Sequence, residues 1–185
     1  MTVSNTASNA ITPIQIADHA DIERMLQRLA HQVLETNKGA DNLVVIGIVT
    51  RGKYLGERMA KLLGQMSQSQ VPVGELDITL YRDDASQSIR PTTQSSVPVD
   101  LSGKTVLLVD DVLFRARTVR AALDALTDYG RPKSVQLLVL LEREGHRELP
   151  IRADYVGKTI ETLTQQRVRV CVQEVDGQDA VLLEG

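Results

Sequence analysis

The sequence predicts an α/β protein with a mainly parallel, doubly wound sheet. Three observations point there. Continuous apolar runs of strand length, without polar alternation, occur at Leu43 to Val49 (LVVIGIV), Thr105 to Val109 and Val135 to Leu141. Strands buried on both faces read this way. Helical patterns separate these runs, which is the order of βαβ units. The core must also be aliphatic, because hydrophobic residues make up 42% of the 185 while there is no Trp and only one Phe.

The elements follow in order. Residues 1–13 read as a frayed polar tail and residues 14–185 as a single domain. Ala20 to Thr36 is an amphipathic helix with Ile22, Met25, Leu26, Leu29, Val33 and Leu34 on one face. The run Leu43 to Val49 ends at Thr50-Arg51-Gly52, and a second helix extends to about Met66. Gly74 to Tyr81 alternates apolar and polar residues, as a half-exposed strand does. Arg82 to Val99 is polar, holds two prolines and has no periodicity. A stretch of this length without structure is a functional loop or disordered. Thr105 to Val109 is a buried strand with Asp110-Asp111 at its carboxyl end, followed by a helix over Thr118 to Tyr129. Val135 to Leu141 is a third buried strand. Short strands follow around Asp154 to Val156, Val168 to Val175 and Ala180 to Leu183.

The formal net charge is −3 and the pI about 5.6, which excludes a protein basic all over but leaves room for a local basic face. Cys171 is the single cysteine, so no intrachain disulfide forms, and its apolar setting reads as core. No run of about 18 apolar residues exists, so no membrane span is expected. The N-terminus lacks the pattern of a signal peptide. The expected compartment is the cytoplasm.

Ligands in open parallel sheets bind beyond the carboxyl ends of the strands. Three polar clusters fall at such ends. In Val106 to Thr118 (VLLVDDVLFRART), a strand delivers two carboxylates to a turn and a helix N-terminus. Carboxylates accept hydrogen bonds from vicinal ribose hydroxyls, and a helix N-terminus attracts phosphate. A strand-end acidic cluster of another kind, such as the phospho-acceptor of a receiver domain, has the same spacing, so both readings stand at this level. Thr50-Arg51-Gly52 offers a second anion site or an ordinary turn. Tyr81-Arg82-Asp83-Asp84 opens the long loop, which either closes over an anionic ligand or is simply solvated.

Four segments carry a resemblance: VGELDITLYRDD (Val73 to Asp84), VLLVDDVLFRARTVRAALDAL (Val106 to Leu126), GRPKSVQLLVL (Gly130 to Leu140) and GHRELPIRADYVGK (Gly145 to Lys158). Together they resemble the PyrR family, attenuation regulators of pyrimidine operons that also act as uracil phosphoribosyltransferases. The resemblance implies the type I phosphoribosyltransferase fold, with a flexible loop and a small hood. It implies uracil and PRPP as substrates, Mg2+ carried by PRPP and not by a protein-built metal site, and binding of UMP or UTP. It further implies an mRNA leader stem-loop as partner and a homodimer or higher homo-oligomer. Carried onto this sequence, it gives Arg82, Asp110 and Asp111 the catalytic positions. Thr50, Arg51 and Gly52 hold pyrophosphate. Val112, Leu113, Phe114, Arg115, Ala116, Arg117 and Thr118 surround the 5-phosphate. His31, His146, Arg147 and Lys158 meet RNA.

Departures from the family pattern bear on activity. The family's loop reads DDVLYTGRT, whereas here Arg115 and Ala116 replace its Thr and Gly. If the glycine position needs a positive φ, Ala is strained there by about 1 kcal/mol. Val49 stands where the family carries Lys, the 82–99 loop is shorter, and LLEREGHRELP holds an extra residue before Gly145. Two readings follow: a bifunctional regulator and uracil phosphoribosyltransferase weakened by Arg115, Ala116 and Val49, or a catalytically inactive, nucleotide-sensing RNA-binding regulator.

Overall fold

The computed structural model of the chain describes residues 12–83 and 94–185. The tail expected over residues 1–13 therefore lies almost wholly outside the described residues, as do Asp84 and most of the expected 82–99 loop. A five-stranded parallel sheet forms the body. Its strands are β2 (Leu43–Ile48), β3 (Val73–Leu76), β4 (Thr105–Leu113), β5 (Ser134–Arg143) and β6 (Tyr155–Ile160), in the order β3-β2-β4-β5-β6. Helices α1 (His19–Asn37) and α2 (Arg51–Ser67) cover one face and α3 (Arg117–Leu126) the other. Each face thus has its own aliphatic core. Ile22, Leu29, Leu55, Met59 and Leu63 pack with Leu107 and Val109, while Ile46, Leu108 and Val139 pack with Val119 and Ala122.

A second, antiparallel sheet of three strands forms the hood: β1 (Ile14–Ala17), β8 (Ala180–Glu184) and β7 (Arg167–Cys171), in that order. A short helix α4 (Gln173–Asp176) joins β7 to β8. Ion pairs pin the hood to the body. Arg58 on α2 donates to Asp179 at 2.8 and 2.9 Å and to Glu174 at 2.6 and 2.9 Å. His19, at the start of α1, meets the same Asp179 at 2.8 Å. Burial opposes ionisation of Asp179, but the Arg58 and His19 bonds outweigh it and hold its carboxyl at about 2.

Four elements differ from the sequence expectation. The expected strand over Gly74 to Tyr81 stops at Leu76, because the Asp77 side chain accepts from the Thr79 backbone N–H at 2.8 Å and from its hydroxyl at 2.6 Å. That local turn competes with the ladder, and a 3₁₀ turn over Thr79–Tyr81 follows. The helix expected to Tyr129 ends at Leu126 and tightens into a 3₁₀ turn over Thr127–Tyr129. The strand expected over Val168 to Val175 stops at Cys171 and gives way to α4. Finally, Asp110-Asp111 do not lie beyond the strand. The ladder continues past them, with Asp110 opposite Val139 and Val112 opposite Leu141. Strand β5 also runs on to Arg143 and supplies the extra partners.

Candidate functional site

Chain order and sheet order diverge around β2. From β2 the chain goes first to β3 on one side, and β4 then pairs on the other. A crevice opens at such a switch point, beyond the carboxyl ends of the two central strands. The segment leaving β2 and the acidic pair of β4 meet there. Gly52 makes the approach possible: a Cβ on it would lie 2.5 Å from the Val109 carbonyl oxygen and 3.2 Å from the Asp110 Cα. Only a residue without a side chain lets α2 begin against β4 at this distance. The peptide between Val49 and Thr50 is cis.

Two cavities flank the acidic pair. The smaller, about 190 Å3, is lined by Arg82, Asp110, Val112 and the loop from Leu113 through Thr118. The larger, about 450 Å3, lies under the hood and is lined by Arg51, Asp111, Phe114 and Arg143, with Thr164 and the 166–170 segment above. Val112 and Phe114 line both. Side-chain alternation slips by one residue hereabouts: the sequence neighbours Leu140 and Leu141 both join the core beneath α1 and α2. Other concavities of about 460 and 500 Å3 lie under the amino ends of the strands and between α1, α2 and α4, away from these residues.

The smaller cavity has the parts of an anion cradle. Ala116 caps α3 with φ 68° and ψ 5°, the left-handed conformation that glycine adopts without cost. Its methyl is buried against the core of that face. The first N–H groups of a helix have no intrahelical partner, and α3 begins at Arg117 on the wall of this cavity. Arg115 and Arg117 flank Ala116. Both pair with Glu148, at 3.2 and 2.8 Å, and Arg117 also meets Asp83 at 3.2 Å. The Glu148 N–H donates to the Arg115 carbonyl at 3.3 Å, which lays the segment after β5 against the loop.

Asp110 is 6% exposed. Burial, reinforced by the charge of Asp111, raises its carboxyl well above the ordinary range, against a weaker pull from Arg82. Burial raises Asp111 too, opposed by a hydrogen bond from the Val112 N–H and by the Arg51 charge. Arg51 itself donates to Asp176 of the hood at 3.0 and 3.3 Å. Asp176 also accepts from Arg169 at 3.1 Å and from the Val172 N–H at 3.0 Å. Burial works against the ionised form of Asp176, but these bonds prevail and lower it.

The structure brings together Arg82, Asp110, Asp111, Arg51, Gly52 and residues 112–118. Thr50 lies exposed immediately before α2. The four residues expected at RNA are divided. His31 and Lys158 are exposed on α1 and β6. Arg28, one turn before His31, donates to the carbonyls of Gly157 and Val156. Arg147 is exposed and pairs with Glu142 of β5 at 3.3 Å. His146 instead turns inward, 2.9 Å from the Thr162 carbonyl and packed against the Phe114 ring at 5.2 Å. Arg143, one of the basic residues of the late segment, is 5% exposed, with its guanidinium 3.9 Å from the Phe114 centroid. Sequence reasoning missed Glu148, Asp176, Arg143 as a wall residue, and Arg167 and Arg169. Only the last two had a signal, the alternation Arg-Val-Arg-Val.

Comparison with known proteins matches the geometry. The model of the phosphoribosyl transferase domain family matches residues 14–174. The "Bifunctional protein PyrR" of Bacillus cereus (strain AH820) is 53% identical over 170 residues, covering 90% of this chain and 94% of that protein. Its namesake in Limosilactobacillus fermentum is 53% identical over 174 residues, covering 92% and 97%. Among solved structures, a hypoxanthine phosphoribosyltransferase from Staphylococcus aureus has a TM-score of 0.68 at 20% identity, covering 91% of this chain and 90% of that one. The Trypanosoma cruzi hypoxanthine phosphoribosyl transferase has a TM-score of 0.72 at 18% identity, covering 93% and 91%. These two show the shared fold.

The raised Asp110 makes a prediction about stability. Between its unfolded and folded pKa the native state holds the extra proton, so stability falls as pH rises through that window. At neutral pH the buried acid is therefore a cost to folding. Asp110→Asn keeps an acceptor for the Asp111 N–H and removes the cost. The variant should melt above wild type at pH 7, with the advantage fading as pH falls toward the ordinary carboxylate range. A variant less stable than wild type at pH 7 would contradict the burial argument.

Proposed function

We infer, since the chain belongs to the phosphoribosyltransferase family and to its PyrR members, that it joins uracil to PRPP, giving UMP and pyrophosphate. We infer also that uridine nucleotide in this site governs its binding to a pyrimidine-operon mRNA leader. The observation that carries the reading is the convergence of Arg82, Asp110 and the 113–118 loop on one small cavity, with Arg51 and Asp111 on its neighbour.

In this reading the ribose 5-phosphate lies along β4. The loop N–H groups, with Arg117 and Thr118, take the 5-phosphate. Asp110 and Asp111 receive the two ribose hydroxyls. Arg51, Thr50 and Gly52, with Arg82, face the leaving pyrophosphate, where Val49 supplies no charge. Uracil enters the larger cavity under the hood. Reaction then needs positioning and stabilisation of a cationic ribosyl transition state, with no covalent nucleophile. Mg2+ fits this donor set: it favours hard oxygens from one or two carboxylates together with substrate phosphates. Among the described residues no group of three or more His, Cys, Asp or Glu side chains could hold a metal. Asp110 and Asp111 would hold Mg2+ carried by PRPP, and the ion would supply positive charge to stabilise the leaving pyrophosphate.

The RNA face in this reading is the edge of β6, with Lys158 exposed on it, Arg28 of α1 bonded to the adjacent Gly157 carbonyl, His31 about one turn further on, and Arg147 in the segment after β5. Phosphate contacts give affinity and unpaired loop bases give specificity. The working unit is a homodimer or larger, and the compartment is the cytoplasm. No described helix is long and apolar enough to cross a membrane.

A second reading, a regulator without catalysis, is favoured by one observation: Ala116 holds the left-handed position with φ 68°. Turnover separates the two. The first reading predicts UMP from uracil and PRPP with Mg2+, slow in wild type and raised several-fold by Arg115→Thr with Ala116→Gly. It predicts at least a hundredfold loss in Asp110→Asn with Asp111→Asn, on the scale of removing transition-state electrostatics. UMP binding without any UMP formation would favour the second reading. Consumption of hypoxanthine in place of uracil would overturn both.

For the RNA face, affinity for a leader hairpin should fall steeply with salt. Lys158→Gln should weaken it and make the salt slope shallower by roughly one contact. A hairpin bound equally by wild type and Lys158→Gln, with equal slopes, removes Lys158 from the interface.

A further inference from the structure

Arg115 stands apart from the rest of the cradle. It is the residue before the buried, left-handed Ala116, and its own side chain is 49% exposed at the cavity rim. Its partners are few and local. Its Nε lies 3.2 Å from Glu148, and its guanidinium lies 5.1 Å from the Phe114 centroid. Arg143 packs on the same ring at 3.9 Å, and the repulsion between the two arginines is felt by Arg143, whose pKa is lowered by burial and then by Arg115.

Glu148 is the element that keeps this arrangement in balance. Its two carboxylate oxygens take Arg115 and Arg117, at 3.2 and 2.8 Å, on either side of Ala116. A carboxylate that bridges two guanidiniums takes donors that a phosphoryl group can also take. It is 38% exposed, so it can leave for water at little cost. A small side chain at position 115 would leave a pocket for one phosphate. An arginine adds a charge at the rim of that pocket.

We propose that Arg115 is a specificity-determining residue that exchanges Glu148 for the phosphate beyond the 5-phosphate, so that this site favours nucleoside 5′-di- and triphosphates over monophosphates. The proposal rests on the reading that the 113–118 loop holds a 5-phosphate. The guanidinium swings out from Glu148 and forms charge-assisted hydrogen bonds to the outer phosphoryl oxygens. Glu148 is the competing anion, so its removal should tighten polyphosphate binding.

Calorimetric titration with UMP and UTP tests it on wild type, Arg115→Thr, Arg115→Lys and Glu148→Gln, with thermal melts as a folding control. The UTP-to-UMP affinity ratio should drop about tenfold in Arg115→Thr, the scale of one charge-assisted bond. Arg115→Lys should keep much of the ratio, and Glu148→Gln should raise it several-fold. UMP binding with the same ratio in wild type and Arg115→Thr overturns this proposal and leaves the phosphate-loop reading standing. Failure of folded wild type to bind either nucleotide overturns the phosphate-loop reading, and this proposal with it.

Discussion

A carboxyl group in the dry interior of a parallel sheet costs far more to ionise than one in water, and Asp110 occupies such a place at the top of β4. The surrounding features follow from that placement. Strand β5 runs on to Arg143 to complete the ladder beside the acidic pair. Gly52 brings the start of α2 against the Asp110 backbone, because any side chain would strike the Val109 carbonyl. The hood closes the other side, with Arg51 held between Asp111 and Asp176. The result is a pair of neighbouring carboxyl groups whose ionisation burial opposes, which is a cost to folding.

The loop after β4 carries the second strain. Ala116 adopts a conformation in which an L-residue loses about 1–2 kcal/mol relative to glycine. Its methyl group recovers part of this by packing among Val119, Leu113 and Ala122. That compensation explains how the loop keeps a left-handed cap without the glycine. Arg115 adds a charge at the rim, where it shares Glu148 with Arg117.

Much of this was legible in the sequence where the signal is local. The three buried strands are continuous aliphatic runs, and α1 and α3 have clear apolar faces. The acidic pair, the loop and Arg82 were read together because each falls near the end of an apolar or alternating run in the sequence. What was missed depends on distant partners. Strand β1 is the four residues IQIA, too short for periodicity, and exists by pairing with β8 at the other end of the chain. Glu148 and Asp176 look like ordinary surface acids until the fold sets them against Arg115 and Arg51. His146 reads as one of a basic group but packs on Phe114 and meets the Thr162 carbonyl. Charge spacing along a chain does not tell which side of a strand end a residue faces.

The central claim is that the 113–118 loop and the acidic pair of β4 hold a ribose 5-phosphate between them. A crystal structure with UMP tests it most directly. The account predicts phosphate oxygens within hydrogen-bond distance of the backbone N–H groups around Ala116 and Thr118, with the ribose hydroxyls on Asp110 and Asp111. A nucleotide seated elsewhere, with this cradle filled only by solvent, would contradict it.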